Sequence, residues 1–286
     1  MTRCAAASLA LLLASGVALE GCALHEPATV QSDATLTPGA KGQRDLVRLP
    51  PPKGKIVVAV YGFRDQTGQY KPAPESSFST TVTQGAAAML IKALRDSGWF
   101  TPVEREGLQN VLTERRIIRA IEHPTDKGNP AIQLPPLMPA QILFEGGIVA
   151  YESNVKTGGA GLRYYGIGAF EQYRVDQVTI ALRVVDIRSG QVLNSVSVTK
   201  TIYSQQLQAN VFRYVSFKRL LEAEVGLTRN EPAQLAVKEA IEAGVIHLVA
   251  QGIRDRQWQL ADDKDLGSPL LQEYLSEAAE LIRVSQ

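Results

Sequence analysis

The apolar residues of the chain fall into blocks of different period. Lys55-Ile56-Val57-Val58-Ala59-Val60-Tyr61 is a continuous apolar run, the pattern of a strand buried on both faces. From about Val82 to Ser97 the period becomes helical, with Ala87, Leu90, Ile91 and Leu94 on one face. A second helix is predicted over about Leu108 to Ile121, and Ile142 to Tyr151 reads as another strand. The order strand, helix, helix, strand predicts a small α/β domain over residues 54–152.

Residues 153–177 follow different rules. Gly158, Gly159, Gly161, Gly166 and Gly168 stand among Tyr164, Tyr165, Phe170 and Tyr173, and so many glycines disfavour a helix. Towards the end of this stretch Gln172, Arg174 and Asp176 alternate with Tyr173 and Val175; the same even register then turns apolar at Val178, Ile180, Leu182 and Val184. One long strand therefore changes environment along its length. Its later half packs in a domain, and its earlier half suits a barrel wall with water on one side and lipid on the other.

A related stretch covers residues 205–225. Leu207, Ala209 and Val211 alternate with Gln206, Gln208 and Asn210, and after a turn near Tyr214 to Lys218 the residues Leu221, Ala223 and Val225 alternate with Glu222 and Glu224. Arg219 and Leu220 break the pattern, so a strand followed by a short helix over 220–225 fits the alternation equally well. Between the two stretches, over 178–204, Val178 to Asp186 and Gln191 to Val198 predict a hairpin through Arg188-Ser189-Gly190. In the final part, 226–286, Pro232 suits the first turn of a helix carrying Leu235, Ile241, Val245, Leu248 and Val249, and residues 268–284 read as a last amphipathic helix.

The N-terminus adds a destination. Arg3 precedes an uncharged apolar run from Ala5 to Leu19, too short to span a bilayer and read as the core of a signal peptide over 1–21. Leu19-Glu20-Gly21-Cys22 is close to a lipobox, with Glu20 where a small residue is usual, and Cys22 is the candidate for acylation. Cys4 falls in the segment removed, so Cys22 would be the lone cysteine of an exported chain, and acylation would dispose of its thiol. Ala23 stands where an aspartate would retain a lipoprotein in the inner membrane, which favours the outer membrane. Residues 22–53 then read as a lipid-anchored linker ending in Leu49-Pro50-Pro51-Pro52.

Net charge is +1 without any block of like charge, which argues against a nucleic-acid partner. His25, His123 and His247 are scattered, and no metal-ligand spacing, G-x-S-x-G elbow or phosphate-binding loop occurs. Ser153-Asn154-Val155-Lys156 fits S-x-x-K and Lys156-Thr157-Gly158 fits K-T-G, but one lysine cannot serve both motifs, which meet in space from separate elements. No catalytic residue, metal or cofactor is expected.

Longer strings carry a resemblance. Thr67-Gly68-Gln69-Tyr70-Lys71-Pro72, Phe78-Ser79-Thr80, Gly107-Leu108-Gln109-Asn110, Tyr151-Glu152-Ser153-Asn154-Val155-Lys156, Tyr165-Gly166-Ile167-Gly168-Ala169, Arg219-Leu220-Leu221-Glu222 and Asn230-Glu231-Pro232 resemble the curli secretion channel family, CsgG, from about Lys55 to Trp258. The resemblance implies an α+β fold: a periplasmic α/β domain with two β-hairpins per protomer, 153–177 and 205–225, contributing to an oligomeric transmembrane β-barrel. It further implies a nonamer that exports unfolded curli subunits by diffusion. A periplasmic capping factor (CsgE) and a surface factor (CsgF) would be the partners, in an outer membrane whose lipid the aromatics Tyr164, Tyr165, Phe170 and Tyr173 would face. The family's constriction loop corresponds to 69–78, where its tyrosine, asparagine and phenylalanine positions are Ala73, Ser77 and Phe78. A pore-free periplasmic lipoprotein acting as a scaffold or binding module is the rival reading, and the glycine- and aromatic-rich hairpins discriminate against it.

Overall fold

The computed structural model describes residues 41–70, 82–121, 134–156, 162–164, 167–216, 219–230 and 233–284. Strand β1 (Ile56–Asp65) pairs in parallel with β2 (Phe100–Val103) on one side and β3 (Ile142–Lys156) on the other. From β3 onward pairing is antiparallel, through β5 (Ile167–Asp186) and β6 (Val192–Ser216) to β7 (Arg219–Asn230), with the short β4 (Leu162–Tyr164) also on β5. The sheet order is β2-β1-β3-β5-β6-β7, so the chain is α+β with a mixed sheet.

Helices cover one face of the lower half of this sheet. Helix α2 (Ala86–Asp96) and the long α4 (Ala233–Arg254) pack on Val58, Val60, Phe144, Ile148, Val178, Ile180, Leu182 and Val184, all buried. The even register expected over Val178 to Val184 is the core face, because side chains alternate along a strand. The opposite face carries polar pairs: Thr179 and Thr199 hydroxyls meet at 2.9 Å, and the Arg183 guanidinium donates twice to Glu145 Oε2 at 2.9 and 2.7 Å. Helix α4 is buried on more than one stripe, since α1 (Lys41–Leu46) and α5 (Pro269–Val284) pack on its outer side. Close contacts at several positions leave room only for glycine. A Cβ on Gly146 would lie 2.0 Å from the Ala181 carbonyl oxygen, and one on Gly252 would lie 2.5 Å from the Trp258 ring.

Several expectations are met closely. The third helix in chain order, α3, runs Leu108–Ile121, α5 fills the predicted final helix, and the β5–β6 hairpin turns through Arg188-Ser189-Gly190. There Gly190 has φ +71°, and the Asp186 carboxylate accepts from the backbone N–H of Arg188 and Ser189. Four differences are found. The linker read over 22–53 is already folded from Lys41: Leu46 and Leu49 join the core, and Trp99 Nε1–H donates to the Pro50 carbonyl at 2.8 Å. Strand β2 was not expected, because four residues with a proline carry no period. Helix α2 starts at Ala86 rather than near Val82. The helix alternative over 220–225 does not form: Arg219–Asn230 is a strand paired with β6 along its whole length.

Candidate functional site: strand extensions and a loop stem

Strands β5 and β6 are 20 and 25 residues long, far beyond the mean strand of about five or six. At about 3.3 Å per residue β6 reaches roughly 80 Å, of which the helix-covered body uses only the lower half. The body ends at a polar contact. Tyr151 Oη donates to Asp176 Oδ2 at 2.9 Å, and both residues are buried. They are diagonal neighbours, since Tyr151 pairs with Val178 and Ser153 with Asp176.

Above this point the sheet continues as a ribbon of four passes. The upper end of β3, followed by β4, ascends to Tyr164, and β5 descends from Ile167; β6 ascends to Ser216, and β7 descends from Arg219. Beyond the body β5 spans 167–175, β6 203–216 and β7 219–230, and a membrane strand needs about 9–11 residues. Hairpin pairing is continuous from Val185 up to Ile167 on β5 and from Val192 to Val211 on β6, with one register shift near the bottom at Val184/Val185. The two stretches expected to form hairpins are thus neighbours in one ribbon, joined through β5 and β6. No helix of the described residues is long and apolar enough to cross a membrane.

The candidate aromatics take places in this ribbon. Tyr164 pairs with Ile167, Phe170 with Gln208, and Tyr173 with Lys156 and Gln205, while Tyr165 lies outside the described residues. Cys22 and the constriction positions Ala73, Ser77 and Phe78 also lie outside the described residues. The stem of that loop is described, and it is held closed by side chains that pattern reading passed over. Asp65 Oδ1 accepts from Thr67 N–H at 2.9 Å and from the Thr67 hydroxyl at 2.7 Å, while its Oδ2 accepts from Gln84 Nε2 at 3.2 Å across the loop base. Gln66 N–H donates to the Ile148 carbonyl, tying the same stem to β3, and Gly68 turns the chain at φ +64°. The available signal was Asp-x-Thr directly after a strand, the sequence of an Asx turn.

Among the described residues, three buried groups with shifted ionisation sit in the helix layer. Burial holds the Glu242 carboxyl above its usual range, opposed by Lys238, whose ammonium lies 2.9 Å away and also donates to Gln43 Oε1 of α1 at 3.0 Å. Burial pushes the His247 imidazole down, opposed by Glu277, and burial beside Asp45 pushes the Tyr274 phenol up. These groups clamp α1 and α5 to α4 and do not converge on a shared cavity. An open cleft of about 520 Å³ between Ile253, Trp258, Leu260 and Leu275 includes Arg254, but that guanidinium is engaged by Asp255 at 2.8 and 3.1 Å. Among the described residues no three metal-ligating side chains come together.

Fold and site together describe an α+β protein organised around strands that outgrow its core. The sequence model of the family "Curli production assembly/transport component CsgG" matches residues 40–278, and the chain belongs to that family. It is 50% identical over 264 residues to the protein of that name from Escherichia coli K12, and 49% identical over 265 residues to that from Salmonella typhimurium LT2. Each alignment covers 92% of this chain and 95% of the relative. A solved PelC dodecamer from Paraburkholderia phytofirmans is similar at 16% identity and a TM-score of 0.22, covering 53% of this chain and 77% of that one. The chain is thus a curli production and transport component, from a family of transport components and not of enzymes.

Proposed function

We propose that this chain is one stave of an oligomeric outer-membrane β-barrel through which unfolded curli subunits leave the cell by diffusion. The observation that carries the reading is the four-stranded ribbon above Tyr151 and Asp176, with one flank at β3/β4 and the other at β7. A ribbon in lipid cannot leave backbone N–H and C=O groups at its flanks unsatisfied, so β7 of one copy must pair with the β3/β4 side of the next until the wall closes. The resemblance makes that ring a nonamer. It also supplies a CsgE-like capping factor on the periplasmic side and a CsgF-like factor at the surface.

The loop on the Asp65–Gln84 stem would narrow the channel, with Phe78, Ser77 and Ala73 lining it. A phenylalanine ring grips no particular sequence and lets an unfolded chain slide, while the gap excludes folded proteins. Acylated Cys22 would deliver each monomer to the inner leaflet before the hairpins of neighbouring copies close. The test is to purify the full chain and look for heat-sensitive rings that conduct in planar bilayers. A protein that stays monomeric and silent overturns the reading and leaves the periplasmic scaffold standing.

A further inference from the structure

The body and the ribbon do not contain the same strands. In the body the order is β2-β1-β3-β5-β6, and it stops there because β7 ends at Asn230, opposite Ser204. In the ribbon the order is β3/β4-β5-β6-β7. Relative to the ribbon, the body is displaced by two strands towards β2 and falls one strand short on the side of β7. A four-stranded stave repeats about every 19 Å across the strands, whereas five body strands take up about 24 Å before any helix is added. Bodies hung beneath a continuous wall cannot stand apart.

The overhanging flank is built unlike the rest of the molecule. Helix α3, four residues after β2, has no buried side chain and only marginal contact with other helices and strands. The Pro-rich segment 134–140 lies against it, pinned by Arg115 donating to the Pro135 carbonyl at 2.6 Å and Arg105 donating to the Met138 carbonyl at 2.9 Å. Ile117 and Ile121, one turn apart on α3, are 42% and 72% exposed, and Leu137 and Met138 are 39% and 52% exposed. Of the eleven large apolar side chains exposed among the described residues, these four stand on one flank, and such a cluster marks a surface that is covered in the working state.

We infer that this flank docks on a second copy of the same chain, beneath that copy's β7, against the lower part of its β6. The inference rests on the barrel reading and specifies which soluble surfaces meet. The contact is head-to-tail, as a closed ring requires. Levels also match: Val103, Ala59, Leu143, Val185 and Val192 form one row across the body sheet, so the root of α3 and the exposed Val192 stand at the same height on opposite flanks.

Thiol cross-linking tests it on the full chain in membranes, with a short bis-maleimide and the parent chain run in parallel. Ile117→Cys combined with Val192→Cys is expected to give a ladder of covalent oligomers, and neither single variant to give more than the parent. In a second arm, Ile117→Asp with Ile121→Asp is expected to lower the yield of conducting pores by about tenfold or more, because the interface would bury unpaired carboxylates. The monomer's circular dichroism should not change, since both positions are exposed in it. Conducting rings with no ladder, or with full yield from the aspartate variant, overturn the inference and leave the barrel intact. A cross-linked dimer from Ile117→Cys alone would mean a two-fold contact and also overturns it. Absence of rings in the parent chain overturns the barrel reading itself.

Discussion

Lys238→Met is the most informative change to the soluble body. The Lys238 and Glu242 side chains are 11% and 6% exposed, and a Cβ on Gly42 of α1 would stand 3.2 Å from the Glu242 Cβ, so α1 seals the pair from water. Glu242 Oε2 has no hydrogen-bond partner, which agrees with burial holding this carboxyl up. Removing the lysine leaves the buried Glu242 carboxyl without its counter-ion, and breaking such a pair costs about 3–5 kcal/mol. With an m-value near 3 kcal/mol/M the urea midpoint should fall by roughly 1–1.7 M. Unfolding is read by tryptophan fluorescence, because Trp99 and Trp258 are both buried, with rings 6.3 Å apart.

The pH dependence gives the sign. A carboxyl whose folded pKa is raised binds its proton more tightly when folded, so its contribution is fullest at low pH and is lost as pH rises through the folded value. Lys238 lowers that value in the parent chain, so Lys238→Met should raise it further and shrink the deficit on acidification from pH 7 towards 5. Lys238→Met with Glu242→Leu should recover most of the loss at every pH. A single variant with a pH-independent deficit, or a double variant as unstable as the single, would refute the reasoning.

Four further outcomes are expected. Gly146→Ala forces a Cβ into the Ala181 carbonyl and the Phe63 ring, and should cost more than about 3 kcal/mol, read as loss of soluble monomer or a large fall in Tm. His247, pushed down by burial, stabilises the fold above its unfolded pKa and loses that stability as pH falls, so His247→Leu should flatten Tm between pH 7 and 5. Single-channel conductance should exceed that of tyrosine-bearing relatives, and Ala73→Tyr should lower it; equal conductance would remove Ala73 from the pore lining. Cys22→Ala should reduce the number of rings more than the conductance of those that form, and a mature N-terminus elsewhere than residue 22 would refute the anchor.

Much of this architecture is legible along the chain because it is written in periods. The unbroken run at Ile56 to Val60, the helical spacing over Leu108 to Ile121 and the two-residue alternation from Val178 to Val184 each follow from a face that must be dry. The dry face of the lower part of β5 is legible for the same reason, as the even register turns apolar at Val178. Helix α1 is not legible: Lys-Gly-Gln-Arg-Asp-Leu has no apolar period, and it folds because α4 and α5 offer partners to Gln43, Asp45 and Leu46. Strand β2 forms around a proline because the free flank of β1 accepts it. The Tyr151–Asp176 contact and the Asp65–Gln84 stem join residues 25 and 19 positions apart, and only strand register and loop closure bring them together. The displacement of body against ribbon likewise belongs to the tertiary structure alone, since it depends on which strands lie side by side, and local period carries no record of that order.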